Sequence, residues 1–95
     1  MARPVMELLD LLGRRWALRV IWELRGDTGL TFRELQTASG DLSSSVLTDR
    51  LRELTQAGVV ARDENGYVLT ARGRELVELL LPLDAWARKW ARSKR

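Results

Sequence analysis

Cysteine and histidine are both absent from these 95 residues. Without thiols there is no disulfide and no thiolate chemistry, and no metal-ligand cluster stands out in the sequence. No glycine-rich phosphate loop occurs, and the carboxylates are scattered among arginines at ion-pairing spacings, so catalysis has no candidate site. The expectation is therefore a non-enzyme with no cofactor and no metal. Long apolar runs are missing too. The longest are far below the ~18 residues a membrane span needs, and Asp10 interrupts the only early apolar segment, which argues against a signal peptide. A soluble, cytoplasmic protein without membrane contact is expected.

An excess of one charge is also largely missing. The net charge of +3 comes from the end of the chain, where Arg88, Lys89, Arg92, Lys94 and Arg95 lie in the last eight residues. Residues 1–87 hold eleven basic against thirteen acidic side chains, a balance of −2. Because phosphate binding depends on local clusters rather than on the total, the relevant arginines are those able to line one surface: Arg14, Arg15, Arg33, Arg50, Arg52 and Arg62. The basic tail has two readings, a solvated end or an addition to DNA affinity.

What the chain does have is concentrated between Leu42 and Gly73, LSSSVLTDRLRELTQAGVVARDENGYVLTARG. Ser43 can cap a helix, Leu47, Leu51 and Leu54 recur at helical spacing, and Gly58 stands where a left-handed residue would end it. With the leucines inward, Ser45, Asp49, Arg52 and Gln56 turn to the opposite face, flanked by Thr48. Two short runs of β-formers, VVARD and GYVLT, follow and join through Glu64, Asn65 and Gly66, a strong hairpin signal.

Upstream, Pro4 suits the first turn of a helix ending at Leu12 before Gly13, and a second apolar helix is expected over 15–25. Thr31 and Glu34 form a capping box for a third helix ending near Ser39, and Gly40 and Asp41 make the turn into the Ser43-capped helix. Thr70 can cap a last helix, interrupted or bent near Pro82, that runs through Trp86 and Trp90. The fold expected is α+β, mostly α: one winged helix-turn-helix domain over 1–95, with the helix-turn-helix at 31–57, the hairpin wing at 59–70 and terminal helices at 1–12 and 71–95.

The chain resembles the HxlR-type winged helix-turn-helix transcription regulators. LLGRRWALRVIWEL is similar to that family's second helix with its Gly-x-x-Trp opening, LTFRELQTA to its third helix, and LSSSVLTDRLRELTQAGVV to its recognition helix. YVLTARGREL is similar to its Leu-Thr-x-x-Gly turn, and LLPLDAWARKW to its Pro-containing last helix. Many members carry a cysteine near the N-terminus, some for sensing. This chain has none, so cysteine-based sensing is excluded for it, and RDENGY is shorter than the usual wing.

The resemblance implies a transcription regulator that binds double-stranded DNA as a homodimer. The DNA-contacting candidates are Arg33, Ser44, Ser45, Thr48, Asp49, Arg52, Arg62 and Asn65. The helix bearing Ser44, Ser45 and Arg52 is expected in the major groove, with the Glu64–Asn65 tip along the neighbouring minor groove or backbone. Asp49 can accept from a cytosine amino group or repel phosphate. For Arg33 the resemblance implies a backbone contact; the alternative is a surface ion pair. Leu8, Leu12, Leu83, Trp86 and Trp90 are the candidate dimer contacts, because both terminal helices carry more apolar surface than so short a chain can cover. The operator would then be an inverted repeat. The four tryptophans read better as packing and subunit contact than as a ligand cage, and no small-molecule effector is assigned. A different class remains open: a winged helix that binds only protein, suggested by the near-neutral recognition face.

Overall fold

The computed structural model describes residues 3–94. Met1, Ala2 and Arg95, placed above in the terminal helices and basic tail, lie outside the described residues. Five helices and one hairpin follow in order: α1 (Pro4–Leu12), α2 (Ala17–Glu23), α3 (Phe32–Ala38), α4 (Ser44–Gln56), β1 (Val60–Asp63), β2 (Gly66–Leu69) and α5 (Ala71–Ser93). Among the described residues no helix is long and apolar enough to cross a membrane.

The helix-turn-helix is held by short-range hydrogen bonds. Glu34 N–H donates to Thr31 Oγ1 at 3.1 Å and Thr31 N–H to Glu34 Oε1 at 2.9 Å, completing the capping box. At the turn Gly40 and Asp41 both take positive φ, 86° and 57°, which glycine and a short polar residue tolerate best. Gln36 fixes the geometry: its Nε2 donates to Leu42 O at 2.8 Å while Leu42 N–H donates to Gln36 O at 3.3 Å. The α4 leucines then meet the core, with Leu47, Leu51 and Leu54 at 0%, 4% and 0% exposure, against Val20, Ile21, Leu24, Leu35, Val60 and Leu69.

The hairpin pairs Val60 with Leu69 and Asp63 with Gly66, leaving Glu64 and Asn65 as the tip. Leu30 adds an antiparallel bridge to Tyr67, its N–H donating to Tyr67 O at 3.0 Å. A Cβ on Gly66 would collide with the Leu30 carbonyl, and its φ is +121°, so glycine is required there for close approach as well as for the turn. Gly58 ends α4 at φ +78°. Thr70 joins the wing to α5: its hydroxyl accepts from Gly73 N–H at 3.0 Å and donates to Gly58 O at 2.6 Å.

Two elements differ from the sequence expectation. α2 is shorter than 15–25, because Trp16 sits at φ 76° and cannot belong to a right-handed helix; half-burial of its indole against the core offsets the left-handed backbone cost of ~1–2 kcal/mol. α5 is one continuous helix through Pro82. Proline there leaves the Glu78 carbonyl without its usual acceptor role but does not interrupt the helix.

Candidate nucleic-acid interface

α4 presents the groups to be considered, and its own N-terminus comes first. Ser43 Oγ accepts from Val46 N–H at 3.3 Å and Ser43 O from Leu47 N–H at 3.0 Å, so the amide N–H groups of Ser44 and Ser45 stay without a helical partner. The Ser44 hydroxyl accepts from Gln36 Nε2 at 3.1 Å, which ties it to α3 but leaves its own proton to donate. Ser45, Thr48, Asp49, Arg52 and Gln56 are all exposed on the face opposite the leucines. Arg52 Nη1 lies 3.6 Å from Asp49 Oδ1, with both side chains more than half exposed. An ion pair this open is worth about 0–1 kcal/mol, so Arg52 can leave it cheaply.

A groove of ≈ 290 Å³ links this face to its neighbours; Phe32 of α3, Thr48, Arg52 and Gln56 of α4, and Tyr67 of β2 line it. Arg62, paired with Tyr67 across the hairpin, holds its guanidinium 5.3 Å from the Tyr67 ring centroid. Arg33 is exposed one residue beyond Phe32. Arg52 and Arg62 therefore flank one aromatic-floored groove, with Arg33 next to its α3 wall. Asn65 sits apart at the wing tip, its backbone N–H donating to Asp63 Oδ1 at 2.7 Å. Asp63 and Glu64 make that tip acidic, and Arg62 is the only cation of the wing.

Two of the arginines counted as possible phosphate ligands are committed elsewhere. Arg50 Nη1 pairs with Glu53 Oε1 at 2.7 Å and Arg14 Nη2 with Glu53 Oε2 at 3.2 Å, on the side of α4 that meets α1 rather than the groove. Arg15 lies over the Trp16 ring at 5.0 Å. Gln36, Phe32 and Tyr67 were not singled out by sequence reasoning. The capping box could have pointed to Phe32 as the first residue of α3, but Gln36 lies beyond it, and the Leu30 bridge that orients Tyr67 is a single residue pair and has no periodicity to detect.

Residues 11–95 match the HxlR-like helix-turn-helix family. The chain belongs to that family. It is 34% identical over 89 residues to the uncharacterized HTH-type transcriptional regulator YvaP of Bacillus subtilis, covering 86% of this chain and 82% of YvaP. It is 33% identical over 92 residues to YodB of the same organism, an HTH-type transcriptional regulator, covering 88% and 81%. The crystal structure of quinone-bound YodB superposes with a TM-score of 0.81 at 31% identity, over 94% of this chain and 99% of YodB. A Thermoplasma volcanium protein described as a possible HxlR family transcriptional factor gives 0.83 at 27% identity, over 96% and 87%. This HxlR chain is accordingly a winged helix-turn-helix DNA-binding transcription regulator.

Proposed function

We propose that the protein binds specific double-stranded DNA sites as a homodimer, with α4 in the major groove. The observation that carries this reading is the exposed, hydrogen-bonding face of α4 set between the capped start of α3 and the wing. The free amides of Ser44 and Ser45 at the positive end of a thirteen-residue helix suit a phosphate oxygen. Ser45 and Thr48 reach base edges with hydroxyls, Arg52 pairs with guanine, and Asp49 either accepts from cytosine or deters misplaced phosphate. Arg33 and Arg62 neutralise backbone on the two sides, while Asn65 contacts the sugar-phosphate edge near the acidic tip.

Support for the dimer is the apolar surface the single chain leaves open: Val5, Met6, Leu8 and Leu9 on α1, and Leu79, Leu83, Trp86 and Trp90 on α5, are exposed. Leu12 contributes less, being half-buried against its own core. In this arrangement α1 and α5 are the dimerisation helices, 31–57 the reading unit and 59–70 the wing.

Electrophoretic shifts of genomic DNA fragments over a salt series test the proposal. Retardation should weaken steeply with salt, and for some fragments it should survive an excess of random competitor. No retardation at low salt, or equal loss with every competitor, overturns it and favours a winged helix that recognises protein.

A further inference from the structure

Gln36 stands between the two helices of the helix-turn-helix and uses one nitrogen twice. Its Nε2 donates to Leu42 O at 2.8 Å and to Ser44 Oγ at 3.1 Å, while its own backbone carbonyl accepts from Leu42 N–H at 3.3 Å. The amide cannot be turned over, because the Leu42 carbonyl only accepts and Gln36 Oε1 has no proton to give it. Both amide protons are thereby engaged, one on a backbone oxygen and one on a hydroxyl. The Gln36 side chain is half-buried and Leu42 is buried, so the fold, not a free surface rotamer, sets this arrangement.

The consequence falls on Ser44. A serine hydroxyl carries one proton and two lone pairs, and on an exposed helix face it rotates to donate or to accept as its partner requires. Here the bond from Gln36 takes the lone pair on the α3 side, so the Ser44 proton cannot point inward and is confined to the exposed side. Accepting one hydrogen bond also polarises the O–H and strengthens the bond it gives. Ser45, exposed beside it, carries no such bond among the described residues and keeps a free rotor. We propose, resting on the DNA-binding reading above, that Gln36 is a positioning residue for recognition: by donating to Ser44 it turns that proton toward DNA, and the start of α4 thereby selects a hydrogen-bond acceptor. The acceptor is a phosphate oxygen or an acceptor atom on a base edge in the major groove. The rotor is fixed when the domain folds, so its ordering is not charged to binding.

Ser44→Ala, measured by fluorescence anisotropy in three backgrounds on a duplex that the intact protein retards over competitor, separates this role from a merely structural one. In the wild-type chain the substitution removes one donated bond and should weaken binding about three- to tenfold. In Gln36→Lys the ammonium still donates to both oxygens, so Ser44→Ala should cost the same. In Gln36→Glu the carboxylate draws the Ser44 proton inward, and Ser44→Ala should cost less than about twofold. General effects of the added charge are shared by the two members of each pair and cancel. An equal cost in all three backgrounds overturns the inference. So does no cost in the wild-type chain, an outcome that leaves specific DNA binding itself standing; a chain that retards no DNA removes both. Where Gln36→Glu fails to fold, Gln36→Met takes its place: it donates nothing, the Ser44→Ala cost should be smaller than in the wild-type chain, and an unchanged cost overturns the inference. The acceptor is then located on the duplex. If it is a phosphate oxygen, the effect of Ser44→Ala should vanish when one phosphate is replaced by a neutral methylphosphonate; if it is a base, when one base is replaced by an analogue lacking its major-groove acceptor. A cost that survives every such replacement also overturns the inference.

Discussion

Arg52 and Arg33 differ in what surrounds them, and the difference sets what each should do. Arg52 projects from the middle of α4 beside Thr48 and Asp49, whereas Arg33 projects from the start of α3. Replacing Arg52 by alanine should weaken binding to the preferred site by about 1–3 kcal/mol if it pairs with guanine, and relax selection at that base. Thermal stability should barely change, since the side chain packs against nothing in the core and loses only an open pair with Asp49. Arg33→Ala should instead weaken binding to all sequences alike and lower the salt slope by about one phosphate. Fluorescence anisotropy with the preferred site and a scrambled one, at several salt concentrations, separates the two behaviours. An Arg33→Ala loss confined to one base position would move Arg33 into the base-reading set.

At the scale of elements, the caps and the turns at Gly40–Asp41 and Glu64–Asn65 were legible, and the contacts made across the fold were not. Thr31, Ser43 and Thr70 each occupy the N-cap position that residue type and spacing predict, because capping is a contact over three residues and is written in the local sequence. The exposed face of α4 was legible for the same reason: three leucines fix the phase of the whole helix. The left-handed Trp16, the Leu30–Tyr67 bridge and the Gln36 bonds to Leu42 and Ser44 depend on residues brought together by the fold, so no periodicity announces them. The commitment of Arg14 and Arg50 to Glu53 belongs to the same class. Thr70 combines both kinds of role, capping α5 and donating to the Gly58 carbonyl at the end of α4. Thr70→Val keeps the shape and removes both bonds, so it should lower stability by about 1–2 kcal/mol in urea unfolding. An unchanged midpoint would mean that the wing and α5 hold their positions without this hydroxyl.

For the whole molecule, the radius of gyration is 13.9 Å, against about 12.4 Å for a compact chain of this length. α5, 23 residues and so about 35 Å long, accounts for the excess: its buried residues are Gly73 and Val77, both in its first two turns. The core therefore closes without the second half of α5. Ending the chain after Leu81 should leave a folded domain that sediments as a monomer, with DNA affinity reduced because only one α4 is presented at a time. A truncated chain that remains a dimer would shift the interface to α1 and away from Leu83, Trp86 and Trp90. Insolubility would be countered by Trp86→Glu with Trp90→Glu in the full chain, for which the same monomer is expected.

Selection of bound sequences from random double-stranded DNA with the intact protein tests the central claim most directly, because it reports specificity and symmetry together. Two α4 helices related by a two-fold axis should enrich an inverted repeat whose half-site centres lie about one helical turn, ~10 bp, or a multiple of it apart. Enrichment of no sequence, or of a lone half-site without a symmetric mate, would contradict the account of this protein as a dimeric reader of DNA.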